Sequence, residues 1–283
     1  MQTSRLHQSA WAVAALTLLL VVTGAINFSN GAGSHPAAQA LSVLQLVHRW
    51  TAAVVGLLTI GLVTWWSHVP NQQSTRPWFG PLGGSALGLV IVQAALGLTG
   101  PSATVWHAIF AQLFFGISVA IVVVTSAEWS REAEPVDDHM RPPMRTLANI
   151  TLIMVLIQIV LGASVRHKLL GVMSHIGFAV LVALTAMMLG MCVLHEAPQH
   201  RSLRPAAIYL MVVIGVQVFL GFASFILQVM DAETALAGVI VTTAHVTTAA
   251  LTLGATVLLK LQVQRYMRAA AAQREGARPT VAS

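Results

Sequence analysis

Four histidines stand out by their placement. His48 and His107 each open an apolar run, His175 opens another in VMSHIGFAVLVALTAMM, and His245 lies within the first turns of a fourth, in VTTAHVTTAALTLG. All four fall near the same end of even-numbered runs, and the odd-numbered runs carry no histidine in their spans. A lone histidine near a helix end usually touches water or headgroups. Four in matching positions instead suit a bundle interior, where intramembrane ionisable groups usually point and mark function. Two imidazoles from facing helices are a ligand set for a haem iron. The rest of a porphyrin is an apolar disc, and Gly97, Gly116, Gly162, Gly221 and Gly254 are candidates for letting it approach the backbone. Arg49 and Arg166 lie on the histidine side, where two propionates would need cations. Zinc is the rival metal, but it usually takes three or four protein ligands, and no cysteine or carboxylate accompanies these histidines. His7, His68, His139, His195 and His200 lie near the opposite ends or in flanking segments, and His35 sits in a loop beside Pro36.

The elements that must position these residues belong in a bilayer. Of 283 residues, 56% are hydrophobic and only 8% charged, against about 25% charged in a soluble domain. Eight runs approach or reach the roughly 20 residues that span the hydrocarbon: 8–28, 47–67, 82–99, 105–126, 147–165, 173–195, 205–228 and 238–261. The first is too long for a signal-peptide core and no clear small-residue cleavage site follows it, so it reads as a span. If the helices alternate in direction, Arg49, Arg166 and Lys168 fall on one side and every other lysine and arginine on the other. The richer side is then cytoplasmic, with both termini there and the histidines at the outer ends. This asymmetry accounts for the net charge of +6 with lipid, not nucleic acid, as the partner. A bacterial-type cytoplasmic (inner) membrane is the expected location. Cys192 is the single cysteine, which excludes an internal disulfide and a Cys-x-x-Cys motif and suits apolar packing.

The chain also reads as doubled. VQAALG (92–97) matches VQVFLG (216–221), IQIVLG (157–162) is a weaker partner of LVVTG (20–24), and HAIFAQLFFG (107–116) aligns with HVTTAALTLG (245–254). Four spans per half is an even number, so the relating axis runs along the membrane normal. The expected division is 1–126, a cytoplasmic linker 127–145, 146–262, and a basic cytoplasmic tail 263–283. The linker region holds five of the nine carboxylates and reads as a solvated connector.

VHRWTAAVVGLLTIGLVTWW (47–66), WHAIFAQLFFGISVA (106–120), LGASVRH (161–167) and TTAHVTTAALTLGATVLL (242–259) together resemble the haem A synthase family, membrane enzymes of cytochrome oxidase assembly. The resemblance implies an all-α integral membrane protein whose eight transmembrane helices form two pseudo-twofold-related four-helix bundles. It implies a b-type haem (haem b) on His175 and His245 in the second bundle, and a substrate haem framed by His48 and His107 in the first. The implied reaction oxidises a methyl group of haem O, delivered by a haem O synthase, to the formyl group of haem A, with electrons leaving through the second haem. The electron acceptor is not indicated, and a homo-oligomer is left open. The family pattern has a glutamate three residues before the first histidine; this chain has Gln45. A carboxylate there could accept protons and an amide does not. The first outer loop also lacks the cysteine pair of some members. Three readings remain open: haem A synthase; a catalytically altered haem-binding protein of the same fold, acting in electron transfer or haem handling; and a transporter using Gln93, Gln112, Gln158 and Gln217 at a repeat interface.

Overall fold

A computed structural model describes residues 2–29, 43–68, 76–99 and 104–269. Most of the loop between the first two spans, with His35, and the tail beyond residue 269, with Arg274 and Arg278, lie outside these segments. The eight expected runs are eight long helices: α1 (Gln2–Ser29), α2 (Val43–His68), α3 (Gly84–Leu98), α4 (Thr104–Val124), α5 (Met144–Arg166), α6 (Val172–Glu196), α7 (Leu203–Val229) and α8 (Leu236–Tyr266). A π-helical turn, Phe79–Gly83, lengthens α3 at its start, so that its apolar span runs Phe79–Leu98. All eight are long and apolar enough to cross a membrane, and the chain is a multi-pass helical membrane protein.

The sequence builds these helices by keeping breakers at their edges. Pro205 stands in the first turn of α7, and Pro142 and Pro143 precede α5, positions where a missing N–H and fixed φ cost little. Hydroxyls inside the spans donate back to their own helix, as Thr17 does to the Val13 carbonyl and Thr59 to that of Val55, both at 2.7 Å. That satisfies them where water is absent. Both turns at the histidine end of the last four spans close alike. Lys168 (φ 59°) follows α5 and Asp231 (φ 54°) follows α7 in left-handed backbone. The Leu169 N–H donates to the Ser164 carbonyl, and the Ala232 N–H to that of Leu227, each at 2.8 Å. This is a Schellman closure that satisfies otherwise orphaned helix-end carbonyls.

In the first four spans each helix packs on the next and α4 returns to α1; in the last four, α8 returns to α5. Between the sets, α8 lies against α1 and α4, and α4 touches α5. Two small-residue contacts bring α4 and α8 close: a Cβ on Gly116 would stand 3.0 Å from Leu253, and one on Gly254 would stand 3.1 Å from Phe115. Small residues at such crossings allow the dense packing that holds helices together in lipid, where apolar burial gives no net drive. Large apolar side chains such as Trp50, Leu57, Ile91 and Phe219 point outward, as a lipid-facing surface requires. Cys192 is partly buried against the core of the last four spans.

The acidic connector is less solvated than its composition suggests. Val136–Asp138 forms a short parallel strand pair with Met267–Ala269, directly after α8. Asp138 is buried, and its carboxylate accepts from the Met140 N–H at 3.1 Å and the Met144 N–H at 2.6 Å, the latter at the first residue of α5. His200 acts similarly at α7, where its Nδ1 accepts from the N–H groups of Ser202 and Leu203, both at 3.2 Å. Asp138→Ala leaves two N–H groups without their acceptor. It is expected to lower the stability of the detergent-solubilised protein by about 1–3 kcal/mol, read as a fall in the thermal unfolding midpoint; an unchanged midpoint would show that water replaces the carboxylate freely.

Candidate functional site

The even helices bring the four histidines together as two pairs. His48 of α2 faces His107 of α4 with ring centroids 6.5 Å apart and planes inclined by 59°. His175 of α6 faces His245 of α8 at 6.3 Å and 87°. All four rings are half-buried. Metal–imidazole bonds of about 2 Å, plus about 1 Å from each bonding nitrogen to its ring centre, put centroids about 6 Å apart when one ion lies between two facing rings. Both observed separations match that span. Among the described residues, no group of three or more His, Cys, Asp or Glu side chains comes together. Each pair thus supplies two imidazoles and no third protein ligand, a donor set that suits the two axial positions of a haem iron better than tetrahedral zinc.

Each histidine meets a polar group from the preceding odd helix. Thr23 of α1 holds His48, with Oγ1 2.7 Å from Nδ1. The Gln93 amide of α3 donates to the backbone carbonyl of His107 at 3.1 Å. The Gln158 amide of α5 lies 3.0 Å from His175 Nδ1 and donates to the His175 carbonyl at 3.0 Å. The Gln217 amide of α7 lies 3.5 Å from His245 Nε2. Polar atoms are nonetheless left over: Nδ1 of His107 and of His245, and Oε1 of Gln93, Gln158 and Gln217, are buried with no hydrogen-bond partner. Buried orphans of this kind are rare in a finished interior, and they concentrate at the two histidine pairs. Sequence reasoning found the histidines but gave Thr23 no role and used the glutamines only in the transporter reading. The signal was present, since Gln93, Gln158 and Gln217 each precede a glycine by four residues in the repeated motif. Gln112 differs. Its amide donates to the Val246 carbonyl at 3.3 Å, where the two sets of spans meet.

The remaining expected residues are placed as follows. Gln45 lies in the first turn of α2, half-buried and one turn before His48. Arg49 is exposed beside His48. Arg166 ends α5 and reaches across to α1. Its Nη2 donates to the Ala25 carbonyl at 2.7 Å and to Ser29 Oγ at 2.9 Å, with the guanidinium carbon 4.9 Å from the Phe28 ring centre. Its Nη1 is buried without a partner. Next to it, His167 packs on Phe28 with centroids 4.5 Å apart and has Nδ1 3.1 Å from Thr104 Oγ1. Burial, with the Arg166 charge adjoining, holds His167 below the ordinary imidazole pKa. Asp231 and Glu233, with Lys168, line a crevice of about 550 Å³ between the two turns at the histidine end of the last four spans.

Fold and site together define a multi-pass helical membrane protein with a facing imidazole pair in each set of four spans. Residues 37–175 match the model of the COX15-CtaA family, described as cytochrome oxidase assembly protein. That stretch, which contains His48, His107 and His175, is similar to this family, and the likeness points to a role in cytochrome oxidase assembly. A search of curated proteins finds no match. Arg166→Lys is expected to lower the thermal midpoint of the solubilised protein, because an ammonium lacks the flat guanidinium face that stacks on Phe28 while its Nη2 reaches the Ala25 carbonyl and Ser29 Oγ; a midpoint equal to that of the parent protein would rule out a structural role for this tie.

Proposed function

We propose that the protein is a haem A synthase, oxidising a methyl group of haem O to the formyl group of haem A. The two facing imidazole pairs, one per set of four spans in a chain whose residues 37–175 match the cytochrome oxidase assembly family, carry this reading. The helix contacts support two four-helix bundles, within 1–126 and 146–262, related by a pseudo-twofold axis and joined by the linker 127–145. The arginine and lysine asymmetry supports cytoplasmic termini, a tail 263–283 on that side, and histidines near the outer surface of a bacterial-type inner membrane.

In this reading His175 and His245 hold a b-type haem, which supplies a one-electron relay when bound. His48 and His107 frame the substrate haem O, brought by a haem O synthase. Arg49, exposed at the rim, and the unpartnered Nη1 of Arg166 offer cations to propionates. Gln45, one turn before His48, occupies the place where a carboxylate would take a proton; its amide can orient a polar group but cannot act as a base. The glutamines that a transporter would need as a midplane polar path are engaged instead, three at the histidines and Gln112 at a backbone carbonyl.

Expression beside a haem O synthase, followed by haem extraction and chromatography, is expected to yield haem A. Finding only haem O, with product restored by Gln45→Glu, would point to the catalytically altered haem-binding protein. Protein that purifies without any haem would overturn both. His175→Ala and His245→Ala are each expected to abolish the low-spin b-type absorbance of a folded protein, and its full retention in both variants would refute the assignment of that pair.

A further inference from the structure

The odd helices carry a second feature that follows the histidines. Each presents a glycine to the imidazole of the next even helix. A Cβ added at Gly24 would stand 3.3 Å from His48 Cε1, at Gly97 3.9 Å from His107 Cε1, at Gly162 2.9 Å from His175 Cε1, and at Gly221 3.0 Å from His245 Cε1. These are the final glycines of the repeated motifs LVVTG, VQAALG, IQIVLG and VQVFLG. Four-residue spacing puts glutamine and glycine on one helix face, so the same face supplies an amide and a gap for a ring. In α1 the glutamine position is Leu20, and Thr23 takes over the hydrogen bond.

The four cradles differ in grip. At Gly162 a β-carbon would displace the ring, and at Gly221 the ring would have to give by a few tenths of an ångström; the Gln158 amide lies 3.0 Å from His175 Nδ1 and the Gln217 amide 3.5 Å from His245 Nε2, with His245 Nδ1 left without a partner. At Gly97 there is ordinary contact distance to spare, and Gln93 holds only the backbone of His107, leaving its ring Nδ1 without a partner. His48 is held by hydrogen bonding. Thr23 Oγ1 lies 3.2 Å from the Leu20 carbonyl and 2.7 Å from His48 Nδ1. The hydroxyl has one proton, and giving it to the carbonyl makes its oxygen the acceptor for Nδ1–H. That tautomer leaves Nε2 with its lone pair, the form a metal ligand requires.

We propose that these polar–glycine cradles are positioning devices that grade how firmly each imidazole is held: tightly at His175 and His245, by a tautomer-setting hydroxyl at His48, and loosely at His107. Resting on the haem reading above, this makes the second pair suited to a group that stays and the first to one that must enter and leave, with His107 the imidazole that yields. Gln158 and Gln217 act through the histidines and are positioning residues, as is Thr23.

The test uses full-length protein purified in detergent from cells supplied with haem. It reads haem per polypeptide and the low-spin electron paramagnetic resonance signature. Gly162→Ala and Gly221→Ala are each expected to reduce occupancy of the retained haem by about tenfold or more, or to convert its signal to high-spin. Gly97→Ala is expected to leave that haem unchanged. Gly116→Ala is the control for crowding alone, since its Cβ would meet Leu253 at 3.0 Å with no histidine nearby. Should the alanine variants not accumulate, Gln158→Leu, which removes the amide and fills no gap, is expected to shift the low-spin signature, and an unchanged signature there overturns the proposal. Unchanged haem in both Gly162→Ala and Gly221→Ala overturns it too, as does equal loss in Gly116→Ala. Parent protein that carries no haem overturns the reading underneath, a result distinct from failure of the cradle.

Discussion

A polar ring inside an apolar bundle must find its partners within the protein, because the hydrocarbon offers none. That constraint organises the helix pairs of this chain. Each histidine on an even helix is met by a polar side chain from the odd helix before it: Thr23, Gln158 and Gln217 at the ring, and Gln93 at the backbone carbonyl of His107. Each also meets a glycine on that helix, near enough that a side chain would touch the ring. These helix contacts are therefore shaped as much by four histidines as by generic packing of apolar surfaces, which in lipid supplies little drive of its own.

The two sets of spans are tied by several kinds of contact. At mid-depth, Gly116 and Gly254 let α4 and α8 approach, and the Gln112 amide bridges to the Val246 carbonyl, one residue from His245. Near the histidine end, Arg166 fastens α5 to the end of α1 through a carbonyl, a hydroxyl and a ring face. At the other end, Arg265 lies over Trp129, and its guanidinium donates to the Arg131 carbonyl, while the connector and the end of α8 pair as strands. The histidine pairs thus sit in sets of helices that share a packed seam.

Arg166 is chiefly a tie between α5 and α1. The expected propionate partner is largely engaged in holding α1, yet one of its nitrogens stays buried without an acceptor. A charged donor left in that state is costly in a low-dielectric interior, and an anionic group at the rim would relieve it. Arg49, in contrast, stands in the open, where it costs little and is free to meet either a ligand or a lipid headgroup.

Much of this protein was determined by sequence alone. Eight apolar runs of spanning length, with prolines at their edges, leave a bilayer helix as the one conformation that satisfies the backbone, and all eight form. The even-helix histidines, too, were legible as a set, since their recurrence at one end of alternate spans does not depend on how the helices meet. Tertiary structure decided who faces whom. It sorted the candidate glycines, sending Gly97, Gly162 and Gly221 to imidazoles but Gly116 and Gly254 to the seam between α4 and α8. It also set three glutamines against histidines, turned Arg166 towards α1, and buried Asp138 in a connector that composition alone would leave in solvent. A glycine or an amide has the same local character wherever it stands; its role is set by the rotation of one helix about its axis against the next, which no single helix encodes.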